Sequence, residues 1–265
     1  METLMTGIAF GESPRWHEGR LWFSDWGAEE LIAVDLAGNS EVMLQVQSFP
    51  FCIDWLPDGR LLIVHSRDRL LLRREPDGTL VTHADLNSLS GGSWNEIVVD
   101  GRGSAYVNGA GFDLMAGEEP RPGIVALVTP DGSARQVADG VAFPNGMAVT
   151  PDNSTLIVAE SYASRLTAFD IAADGALSNR RFGPTSGRTT RTASAWTRKA
   201  PPGTRTSETS TACASGKVER YCRRSTSTAA ASPACSAART GERCSWWQGS
   251  GMAWTSAKGW APARC

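Results

Sequence analysis

The sequence predicts an all-β chain of the propeller class, and three observations carry that expectation. A tight turn leading into a short strand with a polar end occurs four times, as EGRLWFSDW, PDGRLLIVHS, RGSAYVNGAG and PDNSTLIVAES. Each is followed by a second strand and another turn: LIAVDLAGN, LLLRREPDG, IVALVTPDG and LTAFDIAADG. The turn glycines Gly38, Gly78, Gly132 and Gly175 fall 40, 54 and 43 residues apart, the period of a four-stranded blade. Helices fare badly, because no useful window carries apolar residues at helical spacing without a Gly or Pro inside it. A β-sandwich is the alternative architecture.

Taken in order, each repeat opens with a segment that leads into its first turn: FGESPRW, FPFCIDW, SWNEIVVD and FPNGMAVT. Counting back seven or eight residues from the turn reaches Glu12, Cys52, Asn95 and Asn145. In a propeller these would be equivalent positions at the start of the innermost strands, converging on one mouth of the central channel. Three of the four carry oxygen, which suits a hard cation such as Ca²⁺ or Mg²⁺. Singly, each has a plainer reading. Glu12 beside Pro14 reads as a solvated turn carboxylate, Asn95 as a capping amide, and Asn145 in Pro-Asn-Gly as a turn residue. Recurrence in register favours a shared site; Cys52 reads as a small buried residue. Trp16, Trp22, Trp26 and Trp94 read as blade core, and His17, His65 and His83 are scattered over different repeats. No G-x-S-x-G, H-E-x-x-H or glycine-rich phosphate loop is present.

Composition divides the chain in two. Residues 1–182 hold 13 Arg, no Lys and 25 acidic residues, whereas 183–265 hold 13 Lys and Arg against three Glu. Five of the six cysteines lie in the second part, with no C-x-x-C pair to suggest zinc or redox chemistry. The N-terminal residues do not form a signal peptide, and no apolar run approaches a membrane span, so a cytoplasmic protein acting without membrane or nucleic acid is expected.

The segments GESPRW and FPNGMAVTPDNSTLIVAESYASRLTAFDIAADGALSNRR resemble the family of gluconolactonase, regucalcin (senescence marker protein) and luciferin-regenerating enzyme, over residues 7–181. The resemblance implies a six-bladed propeller with one divalent cation in its channel, Ca²⁺ first, with Zn²⁺, Mg²⁺ or Mn²⁺ as alternatives. It implies that Glu12 and Asn145 hold the metal and that Asn95 contacts substrate, with a third ligand, an Asp, still to come. It also implies hydrolysis of a sugar lactone or related small lactone or ester, with a carboxylate taking the proton from water. Ser93-Trp94-Asn95-Glu96 departs from the Arg-x-Asn-Asp that members often show, which weakens the implied sugar preference.

The expected Asp is absent. From Gly183 onward there is no Leu, Ile, Phe, Asp, Asn or His, while four Trp crowd into 246–260. A reading frame displaced by one base explains this composition. Read one base earlier, Thr codons become Asp, Asn, His or Tyr, and four-fold Ser codons become Phe, Leu, Ile or Val. TASAWTRKA is then readable as DGICLDAEG and GTRTSETS as WYADVGNV, which continue the repeat and put Asp where Thr192 stands. The expectation is therefore about four blades over 1–182, followed by an aberrant segment over 183–265 from a shift between about Asn179 and Gly183. Activity of this chain would be impaired, since four blades cannot close a six-blade ring. A non-catalytic scaffold for protein or ligand binding, and a basic tail that binds nucleic acid, are the competing classes.

Overall fold

The computed structural model describes residues 3–113 and 116–183. Its sixteen strands form four antiparallel sheets of four, each a simple meander. The first blade comprises β1 (Gly11–His17), β2 (Arg20–Asp25), β3 (Glu30–Val34) and β4 (Ser40–Gln45). The second comprises β5 (Phe51–Trp55), β6 (Leu61–His65), β7 (Leu70–Arg74) and β8 (Leu80–Asp85). In the third, β9 (Trp94–Val99), β10 (Ala105–Gly109), β11 (Gly123–Val128) and β12 (Ala134–Val141) follow. The fourth holds β13 (Pro144–Val149), β14 (Thr155–Glu160), β15 (Arg165–Ile171) and β16 (Leu177–Phe182).

The turns form for the reason the repeats suggested. Gly38, Gly78, Gly132 and Gly175 all have φ between 81° and 89°, a region L side chains rarely adopt. The aspartates before these and the other hairpins cap their own turns. Asp58, Asp77, Asp131 and Asp174 each accept the backbone N–H two residues on, at 2.9–3.0 Å.

Middle strands read as unbroken apolar runs because both faces of a blade are covered. Trp22, Leu31 and Ala33 of blade one meet Phe51, Ile53, Leu61 and Ile63 of blade two. The other face of blade two, with Leu62, Val64 and Leu71, meets Trp94, Ile97, Ala105 and Val107 of blade three. Blade three turns Tyr106, Val125 and Leu127 toward Met147, Leu156, Val158 and Phe169 of blade four. Innermost strands lie side by side from β1 to β5, β5 to β9 and β9 to β13, and no comparable contact joins β13 to β1 among the described residues. Four blades therefore form an arc. The outer face of blade one, with Leu21, Phe23, Ile32 and Val34, is covered by Leu4 and Met5 from the N-terminal segment and by Trp16. No helix among the described residues is long and apolar enough to cross a membrane.

Leu62 is fully buried between blades two and three. Leu62→Ala should cost about 2–5 kcal/mol, lowering the urea midpoint while leaving the slope of the transition unchanged.

Candidate functional site at the channel mouth

The structure brings Glu12, Cys52, Asn95 and Asn145 to the same end of the arc, each on an innermost strand. What sets three of them apart is a β-bulge. In β1 the register slips between Glu12 and Arg15, where three steps oppose the two from Ser24 to Trp22. In β13 it slips between Pro144 and Met147, spanning Asn145. In β9 the partners of Trp94 and Glu96 are consecutive, so Asn95 is the extra residue. Only β5 is regular, pairing Cys52 with Val64. A bulge bends the strand and re-aims side chains, and here it occurs where the residue carries oxygen and not where it is Cys52.

Three of the four positions, Cys52, Asn95 and Asn145, are linked across blades two to four through side chains and backbone oxygens. The Cys52 thiol donates to the backbone oxygen of Asn95. Asn95 Nδ2 donates to the Pro144 oxygen at 3.1 Å, and Asn108 Nδ2 to the Asn145 oxygen at 2.7 Å. Asn145 Nδ2 reaches Ser161 Oγ at 3.3 Å. Both candidate amides thus commit their nitrogens to protein acceptors, which leaves their carbonyl oxygens as the ends able to ligate. Cys52 is 1% exposed, and burial followed by the charges of Glu96 and Glu12 pushes its thiol well above the ordinary value. It is a protonated, inert filler at this position, as its residue type suggested.

Beneath this layer lies a buried ionic network that the sequence did not announce. Arg15 Nη2 donates to Glu96 Oε1 at 3.0 Å and to the Ile97 oxygen at 2.7 Å, and its Nε lies 4.0 Å from Asp54 Oδ1. Ser13 Oγ donates to Glu96 Oε1 at 3.1 Å and accepts from the Ile53 amide at 3.1 Å. Val99 N donates to Asp54 Oδ2 at 2.7 Å. Burial alone would lower the Arg15 pKa, but Glu96 and Asp54 outweigh it and hold it above the usual value. Glu12 has no such cation among the described residues. Burial, then the charge of Glu96, push its carboxyl up to about 7 against the opposing Ser13 amide.

Other candidates are structural. Trp22 and Trp94 are buried, Trp16 and Trp26 partly so. His17 stacks on Trp55 at 4.1 Å, His65 faces Asp68 at 3.3 Å, and His83 faces Arg73 at 3.0 Å. Among the described residues no three His, Cys, Asp or Glu side chains gather to hold a metal. Thr192, the position of the expected third ligand, lies outside the described residues, as does the segment 184–265. A cleft of about 380 Å³ between β12 and the outer strands of blade four, lined by Gln136, Phe169 and Arg180, is away from the mouth.

The chain belongs to the SMP-30/gluconolactonase/LRE-like family, whose model matches residues 10–193. Among solved structures it is similar to a gluconolactonase of Xanthomonas campestris, at 25% identity and a TM-score of 0.63 over 74% of this chain and 69% of that one. It is also similar to regucalcin, a calcium-binding protein of Agrobacterium tumefaciens, at 23% identity and a TM-score of 0.58 over 72% and 65%. A luciferin-regenerating enzyme matches at 17% identity and a TM-score of 0.59, over 69% and 62%. No curated protein matches the chain.

Two outcomes follow from these electrostatics. Arg15→Met, which strands Glu96 without its cation, should cost about 3–5 kcal/mol, and adding Glu96→Leu should recover much of that loss. Chemical denaturation of the two single variants and the double variant measures both. Glu12→Gln should stabilise the cation-free chain at pH 8 by up to ~3 kcal/mol. The folded state raises this pKa from 4.5 to about 7, so it binds the extra proton and loses stability as pH rises through that window. The gain should therefore shrink toward pH 4.5, which thermal unfolding in a chelator across pH reads directly.

Proposed function

We propose that the chain carries the site of a metal-dependent hydrolase of a sugar lactone or related small lactone or ester, with Glu12 and Asn145 holding one divalent cation and Asn95 orienting the substrate. The observation that carries this reading is the bulge shared by the three oxygen-bearing innermost strands. Membership of the family and the likeness to a gluconolactonase at 25% identity support the reaction class.

The residues at the mouth fit a hard cation in donor chemistry. Glu12 offers a carboxylate with no basic partner among the described residues, and both Asn side chains are oriented through their nitrogens. Asn108 adds a further indication: its Oδ1 is buried without a hydrogen-bond partner among the described residues. The donors present fall short of the roughly six to eight oxygens Ca²⁺ takes, so water and a further side chain would complete the set. Ca²⁺ is the first choice, with Zn²⁺, Mg²⁺ or Mn²⁺ as alternatives. When bound, the cation supplies Lewis acidity for the substrate carbonyl and lowers the pKa of water. The chain's own residues would position that substrate, with the Asn95 amide beside it.

The further side chain is the Asp that a one-base shift would restore at the position of Thr192. We propose on the same ground that residues 1–182 are four blades of a six-blade ring, and that 183–265 are the displaced frame of the rest. The alternative is a non-catalytic propeller that binds a protein or small ligand.

Two measurements test this. The coding DNA, translated one base earlier from about codon 179, should read Asp-Gly, strand and turn without stop codons; stops or loss of the repeat would sink the frame argument. The frame-restored chain should hydrolyse glucono-δ-lactone or a simple aryl ester with Ca²⁺ and lose that activity on chelation. The present chain, short of that ligand and of two blades, should bind the cation weakly and show little or no such activity. Ligand binding indifferent to chelation and to Asn145→Ala, with no hydrolysis, would instead establish the scaffold.

A further inference from the structure

Blade three carries an amide where its second strand would otherwise continue apolar. Ala105 and Val107 of β10 pack toward blade two, and Tyr106 packs toward blade four. Strand alternation puts Asn108 on the Tyr106 side, facing blade four, and it is 0% exposed. Burying an amide there is costly unless its groups find partners.

Among the described residues only one end of it does. Asn108 Nδ2 donates to the Asn145 backbone oxygen at 2.7 Å, whereas Asn108 Oδ1 is buried without a partner. A carbonyl oxygen only accepts, so the nitrogen must face Asn145 and the side-chain oxygen cannot take its place. The amide thus serves through its N–H, at the cost of an unpaired oxygen.

What that N–H holds is the bulge of β13. The register there runs from Pro144 opposite Glu160 to Met147 opposite Val158, with Asn145 between. Two consecutive carbonyls of the bulge accept from blade three: Pro144 from Asn95 Nδ2 at 3.1 Å, and Asn145 from Asn108 Nδ2. Asn145 Nδ2 meets Ser161 Oγ of its own blade at 3.3 Å, so backbone and side chain are both held. Glycine lets the two blades approach closely at this point. A Cβ on Gly123 would strike the Gly109 oxygen and lie 2.7 Å from Pro144 Cδ.

We propose that Asn108 is a positioning residue for Asn145: by holding the Asn145 carbonyl it fixes the β13 bulge, and with it the direction in which the Asn145 side-chain oxygen is presented. The cation that this oxygen would meet belongs to the hydrolase reading, on which the proposal rests. In this role Asn108 touches neither cation nor substrate.

The test uses the full chain with Tb³⁺ as the probe, its luminescence excited through tryptophan, together with hydrogen exchange of peptides from β13 and β6. Asn108→Leu removes the donor and keeps a branched side chain; Asn108→Ala removes it without adding volume. Tyr106→Phe is the control. It deletes a hydrogen bond of the same blade interface, Tyr106 Oη to the Gly175 oxygen at 3.0 Å, at the end away from the mouth. Each Asn108 variant should speed β13 exchange and weaken Tb³⁺ binding by roughly two- to tenfold, the worth of one hydrogen bond. Exchange in β6 should stay as it was, and Tyr106→Phe should leave Tb³⁺ affinity within about twofold, as a distant site does. Unaltered β13 exchange, or unaltered Tb³⁺ affinity where the parent chain binds the ion, overturns the proposal. So does an equal loss of affinity in Tyr106→Phe, which would assign the effect to a loosened interface. Faster β13 exchange in a chain that binds no Tb³⁺ even before substitution upholds the hold on Asn145 and removes the cation reading instead.

Discussion

Arg15 is the side chain on which the channel mouth depends. It leaves blade one, passes the innermost strand of blade two, and delivers its guanidinium to a carboxylate and a backbone oxygen of blade three. Asp54 of blade two lies within reach of the same group. One cation thereby ties three blades at the axis, where apolar packing is thinnest. Taking these charges out of water costs several kcal/mol per ion, and the return depends on geometry. Here the carboxylates are also met by Ser13 Oγ and by the amides of Ile97 and Val99, so little of either is left unpaired. The network adds a polar tie across three blades to the apolar packing and to the hydrogen bonds that join neighbouring blades.

The same network explains why Glu12 is unusual. It lies three residues before Arg15, yet Arg15 is taken up by Glu96 and Asp54, so Glu12 meets the Glu96 charge with no counterion of its own among the described residues. A carboxylate kept in that condition is costly unless something cationic joins it. The bulges at Glu12, Asn95 and Asn145 add to the cost, since each forgoes regular ladder pairing. Three local sacrifices of sheet regularity at one mouth, and none at Cys52, separate this end of the arc from an ordinary set of strand starts.

Much of the fold was legible because it is written in turns and in two-sided burial. Turn glycines, preceded by Asp in blades two to four, and apolar runs such as LLIVH and TLIVAE mark the second and third strands of each blade. The outermost strands were not individually legible. SEVMLQ and LSNRRF are largely solvent-exposed and lack the long apolar runs of the middle strands, so the ladder with β3 and β15 and a few partly buried side chains (Met43, Leu44, Leu177) hold them. At the mouth, alignment of the repeats picked out Glu12, Cys52, Asn95 and Asn145, but not the bulges or the Arg15–Glu96 pair. Nothing in ESPRW says that its arginine turns inward, since an Arg after Pro in a polar segment reads as solvated. The signal that could have found it is the shortage of other partners: a Glu directly after Asn95, at the start of a buried strand, requires a cation from elsewhere in the chain.

The arc also imposes a geometric condition on any chemistry. Glu12 belongs to the first blade and Asn145 to the fourth, and in the six-blade ring proposed above, with its step of roughly 60°, the two would face one another across the channel. Their separation is then set by the summed curvature of three blade interfaces rather than by any contact between them. A small change of angle at each interface moves the two donors by the sum of the changes, and a cation tolerates displacement of only a few tenths of an ångström in its ligand distances. In a closed ring the remaining blades would hold that sum constant. In an open arc the restraint falls to the Asn95–Pro144 and Asn108–Asn145 hydrogen bonds on one side and to Arg15 on the other. Arg15 therefore bears on the spacing of the two proposed donors without being one of them, because it ties the blade that carries Glu12 to the blade next to Asn145.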